Sequence, residues 1–238
     1  AESYWRAAQI YDDLGEHLNA AEHFNLASTN YKYAAEKIPH LKSFCEEHAL
    51  YMQAWAEIEK GRHHHGKQEY GLAKEHYEKA ASMHKSLKQW SYLAENYAAW
   101  TQVENAEDLS RREHGEEAIR AFEQAVKLFN ETKTSLQTQL SKIETQDEEQ
   151  MAKNMVQASD LRHEYCLARI SIEEAKILDK KGDHYSSSEK YGSAAQTFEK
   201  ILQALEAEQE RKEFKFISSL SRAWQKMTMA EAEASASL

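Results

Sequence analysis

The chain has 238 residues, with 30 Lys and Arg against 40 Asp and Glu, so its formal net charge is −10. Apolar residues make up 41% and charged residues 29%, the balance of a globular chain with a core rather than a disordered one. Only 7 Gly and 1 Pro are present, which sets aside sheet-rich folds, because strands and their turns consume both in quantity. The chain is expected to be all-α. Its acidic balance argues against nucleic acid as a partner, since phosphate neutralisation needs clustered Lys and Arg. The densest basic spots, Arg111-Arg112 and Arg211 to Lys215, are interleaved with Glu and read as solvated helix faces. No apolar run is long enough to span a membrane. Cys45 and Cys166 form neither a CxxC nor a dense framework, the pattern of a reducing compartment, so a cytoplasmic location is expected. The first residues lack a signal-peptide pattern and an initiator Met, which points to a fragment of a longer protein.

In chain order, eight helices are expected, over roughly 2–14, 17–37, 41–62, 68–86, 88–112, 115–144, 146–181 and 184–230. Ser43 with Glu46, and Thr145 with Glu148, have capping-box spacing and mark two starts. No Gly or Pro falls between Gly115 and Gly182. A single helix over that stretch would be about 100 Å long at 1.5 Å per residue, so a break is expected near Thr145-Gln146-Asp147. A coiled-coil arm is the other reading of that stretch. The last helix has a second candidate break near Ala207–Lys212.

One pattern recurs along the chain: a small residue, an aromatic four later, and Ala three after that. It occurs as Ala20, Phe24, Ala27; as Ala73, Tyr77, Ala80; as Ala118, Phe122, Ala125; and more weakly as Ser187, Tyr191, Ala194. Offsets of four and three put all three residues on one helix face. The small residues let a neighbouring helix approach while the ring fills the gap between turns. Turn signals precede each copy at Gly15, Gly66, Gly115 and Gly182-Asp183.

The first unit, Ala8, Tyr11, Gly15, Ala20, Phe24, Ala27, resembles the tetratricopeptide repeat in spacing and residue type. The fourth unit, Ala175, Leu178, Gly182-Asp183, Ser187, Tyr191, Ala194, follows the same register, whereas units two and three match in their second helices only. The usual period is about 34 residues. Here the small residues lie 53, 45 and 69 apart, and Pro39 comes later than the family's closing Pro. The chain is therefore similar to long-hairpin relatives such as the soluble NSF attachment proteins (SNAPs). The resemblance implies one domain over 1–238, of units near 1–39, 40–87, 88–144 and 145–230, stacked as a right-handed superhelix. It also implies a concave face that binds a protein or peptide. Positions three before and one after the first-helix alanine would point into that face. They are Trp5 and Gln9 in unit one with Asp12 a turn later, Val103 and Glu107 in unit three with Trp100 a turn earlier, and Ile172 and Lys176 in unit four with Arg169 a turn earlier. Packing of Trp5 and Trp100 between hairpins is the alternative. The Lys and Asn of the family's carboxylate clamp are not reproduced at Trp5 and Gln9.

Signals for catalysis or a cofactor are weak. His63-His64-His65 is expected in a helix-to-helix turn, where three adjacent rings do not converge on one metal. Glu-x-x-His, HExxH, P-loop and GxSxG patterns do not occur in the sequence. The expectation is a protein-recognition scaffold without catalysis of its own and without a cofactor. A SNAP-like adaptor linking a helical bundle to an ATPase is the alternative.

Overall fold

A computed structural model describes residues 1–140, 146–205 and 208–237. Among these residues there are nine α-helices, one short 3-10 turn (Pro39–Leu41) and no strand. The helices are α1 (Glu2–Asp13), α2 (His17–Lys37), α3 (Lys42–Gly66), α4 (Tyr70–Ser86), α5 (Leu93–Arg111), α6 (Gly115–Leu140), α7 (Gln146–Lys180), α8 (His184–Ala204) and α9 (Glu208–Ala236). The contacts gather into two compact units, Ala1–Asn105 and Ala106–Leu238. In the first, α1 packs on α2, α2 on α3, and α3 on α4; in the second, α6 packs on α7, α7 on α8, and α8 on α9. Neighbours in sequence are neighbours in space, as stacked hairpins require.

Four hairpin turns share one backbone solution. Gly15, Gln68, Glu113 and Gly182 have φ of 72°, 58°, 62° and 81°, and each lies five residues before the small residue of its hairpin. A helix ends with carbonyls that lack intrahelical donors, and a left-handed residue turns the next amides back onto them. The N–H of Glu16, Glu69, His114 and Asp183 accordingly donates to the carbonyl of Tyr11, His64, Leu109 and Leu178 at 2.8, 2.9, 2.9 and 3.0 Å. Gly66 and Gly115, expected as turn residues, instead close α3 and open α6. The left-handed positions of those two hairpins are filled by Gln68 and Glu113, so glycine content alone marks the wrong residue.

Other expectations also shift. α3 continues through His63-His64-His65 to Gly66, placing the run in a helical last turn rather than a loop. Ser43 is inside α3, which starts without a side-chain cap. The segment 184–230 is two helices, α8 and α9, with Leu205 extended (ψ 137°) after α8 and α9 starting at Glu208, beside the candidate break at Ala207–Lys212. Residues 206–207 and 141–145 lie outside the described residues, and with them part of both expected breaks and the Thr145 cap.

The small residues Ala20, Ala73, Ala118 and Ser187 are each 0% exposed, and Phe24, Tyr77, Phe122 and Tyr191 are buried with them. Ser187 satisfies its hydroxyl by donating to the carbonyl of Ala175 at 2.9 Å. Twelve residues before each small residue stands another: Ala8, Gly61, Ala106 and Ala175. All four are buried. A Cβ at Gly61 would lie 2.9 Å from Tyr77 Cε1, so glycine lets α3 and α4 approach. Units two and three thus carry the pattern in their first helices as well. Gly61 belongs to this pattern because α3 runs on through His63-His64-His65 to Gly66.

Candidate functional site

The junctions between one hairpin and the next follow from this register. Counting back six from Gly61, Ala106, Ala175 and, on α9, Ala230 gives Trp55, Trp100, Arg169 and Trp224. Each covers the ring of the preceding hairpin. Trp55 stacks on Phe24 with centroids 6.0 Å apart and Trp100 on Tyr77 at 5.6 Å; Trp224 meets Tyr191 at 5.4 Å. Where the sequence has Arg169, its guanidinium carbon lies 5.5 Å from the Phe122 centroid. A planar cation over an aromatic face supplies contact area and electrostatic attraction together.

Counting back two gives Glu59, Glu104, Glu173 and Thr228, all buried. The three carboxylates reach the turn of the preceding hairpin. Glu59 pairs with His17 Nδ1 at 2.8 Å and Glu104 with His65 Nδ1 at 2.7 Å, and Glu173 accepts from Ser110 Oγ at 2.7 Å. Buried acids need such partners, since leaving one unpaired costs several kcal/mol. One position after the small residue stand Arg62, Glu107, Lys176 and Glu231. Arg62 donates to both Asp12 and Glu59, at 2.6 and 2.8 Å. Burial works against its charge, but Glu59 foremost, with Asp12, raises its pKa above the ordinary guanidinium value. Lys176 donates to Glu173 at 2.7 Å, and Glu107 accepts from Tyr165 at 2.6 Å and Arg169 at 2.8 Å. Burial, followed by Glu107, pushes the Tyr165 hydroxyl well up; burial does the same to the Cys166 thiol.

These contacts place the nine residues expected on a concave face. Val103 and Ile172 are 2% exposed and Glu107 is 6% exposed, so these three are packing residues rather than a partner surface. The physical reason is that positions six, three and two before the small residue share a helix face, and that face receives the preceding hairpin. Trp100 and Arg169 cover rings, while Lys176 and Asp12 are held in ion pairs. Trp5 is half-buried and meets Tyr51 edge-on at 6.2 Å. Gln9 is exposed.

A surface that the sequence did not single out lies on α2. Leu18, Ala21, Glu22, Asn25, Leu26 and Thr29, with Lys60 of α3, line an open groove of about 350 Å³. Leu18 and Leu26 are exposed, as are Ile10 and Leu14 near the α1–α2 turn. At the registers of Leu14, Leu18 and Leu26, the second and third hairpins carry Lys67 and Arg112, Gly71 and Glu116, and Lys79 and Gln124. Comparing hairpins at equal register would have revealed this apolar patch. Beside the groove, burial opposes ionisation of Glu57, but hydrogen bonds from Lys60 and His76 hold its carboxyl below the ordinary value.

The histidine run does not converge. His64 pairs with Glu69 at 2.6 Å and stacks parallel to His76 at 5.3 Å, while His65 pairs with Glu104. A different histidine is the unusual one. His84 is 0% exposed, stacked on Tyr97 at 5.5 Å and edge-on to Tyr51. Neither of its ring nitrogens has a hydrogen-bond partner among the described residues. Burial depresses its pKa to about 4, so the ring is neutral at ordinary pH.

A sequence-family model described as tetratricopeptide repeat matches residues 1–30. That span holds α1, the Gly15 turn and most of α2, the hairpin whose register the other three reproduce. No curated protein and no solved structure matches the chain. No helix among the described residues is long and apolar enough to cross a membrane.

Proposed function

We propose that this chain is a protein-recognition scaffold whose first hairpin grips a peptide or an amphipathic helix. The observation that carries the reading is the exposed leucine pair Leu18 and Leu26 flanking a groove, on the hairpin that matches the tetratricopeptide repeat. Apolar anchors within a polar rim of Glu22, Asn25, Thr29 and Lys60 are the usual anatomy of a recognition surface. Leucines eight residues apart on one helix offer two contacts along the axis of a bound helix. A scaffold built of stacked hairpins presents them without a large ordering cost.

Affinity capture with the full chain and with Leu18→Glu/Leu26→Glu tests this reading. Partners recovered by the parent and lost by the variant, with unchanged helical circular dichroism, support it. Identical recovery by both sinks the groove as the site. Recovery of a helical bundle together with an ATPase, unaffected by Leu18→Glu/Leu26→Glu, would favour the adaptor reading instead.

A further inference from the structure

The two hairpin turns that carry histidine at the same register differ in one respect that points to a ligand. In the first hairpin, Asp12, His17 and Glu59 place one donor atom each within 4.8 Å of one another, and in the last hairpin Asp179, His184 and Glu231 do the same. Asp179 and His184 stand four after Ala175 and three before Ser187, as Asp12 and His17 stand to Ala8 and Ala20. At the first site the carboxylates are bridged by a cation, the Arg62 guanidinium, at 2.6 and 2.8 Å. At the last site the register of Arg62 is filled by Glu231 and that of Glu59 by Thr228. The last turn therefore keeps one carboxylate and the imidazole, loses the buried acid of α3, and carries a second carboxylate where the first turn has its cation.

The local geometry suits a metal ion. His184 Nδ1 is hydrogen-bonded to Asp179 Oδ1 at 2.8 Å and lies 3.6 Å from Glu231 Oε2, and a metal ion would replace the proton of that bond. Bonds of about 2.0–2.2 Å in a tetrahedral zinc site put ligand atoms about 3.3–3.5 Å apart, between those two separations. The lysines nearby on α7 are engaged elsewhere, Lys176 on Glu173 at 2.7 Å and Lys180 on Glu113 at 3.0 Å. His184 opens α8, whose N-terminal dipole disfavours a cation, but the Asp183 carboxylate caps that end by accepting from Ser186 N–H at 3.1 Å. All three ligand side chains are at least a quarter exposed, which leaves an entry path and room for water as a fourth ligand.

We propose that Asp179, His184 and Glu231 form a three-ligand site for a divalent transition-metal ion of the zinc class. One imidazole nitrogen with two carboxylate oxygens is a borderline donor set that fits such ions better than calcium or magnesium. The ion takes the place that Arg62 fills in the first hairpin and ties α9 to the turn between α7 and α8.

Calorimetric titration of the full chain with zinc chloride tests the site. One equivalent is expected to bind in the micromolar range, with the midpoint of thermal unfolding rising as zinc is added. His184→Gln should weaken binding by at least about tenfold. Glu231→Arg, which restores the arginine of the first hairpin, should abolish it and its thermal shift. His17→Gln should leave binding unchanged. Equal affinity in the parent, His184→Gln and Glu231→Arg would mean that zinc sits elsewhere, for instance on His63-His64-His65, and overturns the proposal. Absence of binding at millimolar zinc overturns it as well.

Discussion

The junction of α2 with α3 and the junction of α6 with α7 solve one packing problem with different chemistry. In the first, Phe24 is covered by Trp55, and the buried Glu59 is satisfied by His17 and Arg62. In the second, Phe122 is covered by the Arg169 guanidinium, and the buried Glu173 is satisfied by Ser110 and Lys176. The positions are conserved within the molecule and the occupants are not. The repeat fixes where a flat group and a buried acid must sit; each junction then finds its own way to fill those places.

The sharpest way to break that equivalence is to remove the rings. Phe24→Ala and Phe122→Ala should each cost about 3–5 kcal/mol, because both delete a buried aromatic and leave a cavity. Denaturant unfolding monitored by circular dichroism would show it. A much smaller loss at Phe122 would mean that Arg169 fills the space and that the two junctions are not equivalent.

Next in size is the pH dependence that His84 gives to the first unit alone. Its folded pKa of about 4 lies below the ordinary imidazole value of about 6.5. The unfolded chain therefore binds more protons between those limits, and stability rises with pH across that window. The contribution is fully present above pH about 6.5 and fades towards pH 4, amounting to about 3 kcal/mol. His84→Phe should flatten that part of the stability profile, and it removes two buried nitrogens without partners. A profile between pH 4 and 6.5 unchanged by the substitution contradicts the buried, neutral ring.

Overpacking comes third. Ala20→Leu and Ala118→Leu should each lower stability by about 1–3 kcal/mol, since both alanines are 0% exposed at helix crossings. Thermal melts unaffected by either would refute the shared register. Smallest is the turn. Gln68→Gly and Glu113→Gly should stabilise by about 1 kcal/mol, because a left-handed backbone strains a side-chain-bearing residue. Gly15→Ala and Gly182→Ala should destabilise by a similar amount. The opposite sign in either pair would separate the middle turns from the outer ones.

Much of the fold was legible because helix packing depends on small side chains at fixed spacing, and spacing survives in one dimension. Ala20, Phe24 and Ala27 announce a packing face whether or not the partner helix is known. The candidate site was less legible. The register of Val103 and Ile172 points to an open face by resemblance, because first helices of such hairpins can line one, yet both are buried here. An apolar residue at a given register reads the same whether it meets solvent or a neighbouring helix. The groove beside Leu18 and Leu26 is visible in the sequence only by comparing hairpins at equal register, since taken singly an exposed leucine reads like a core leucine.

The amino-acid sequence by itself determined that the chain is helical, where most helices start and stop, and which alanines and rings face inward. These properties are set by turns, periodicity and side-chain volume within some twenty residues of one another. Tertiary structure alone decided that Gln68 and Glu113 adopt the left-handed turn and that Gly61 replaces an alanine against Tyr77. It also decided that Arg169 substitutes for a tryptophan and that Glu59, Glu104 and Glu173 are buried with partners. The packing outcomes among these depend on atoms brought together from residues 16 to 63 positions apart, and only their three-dimensional neighbours tell a buried acid from a solvated one.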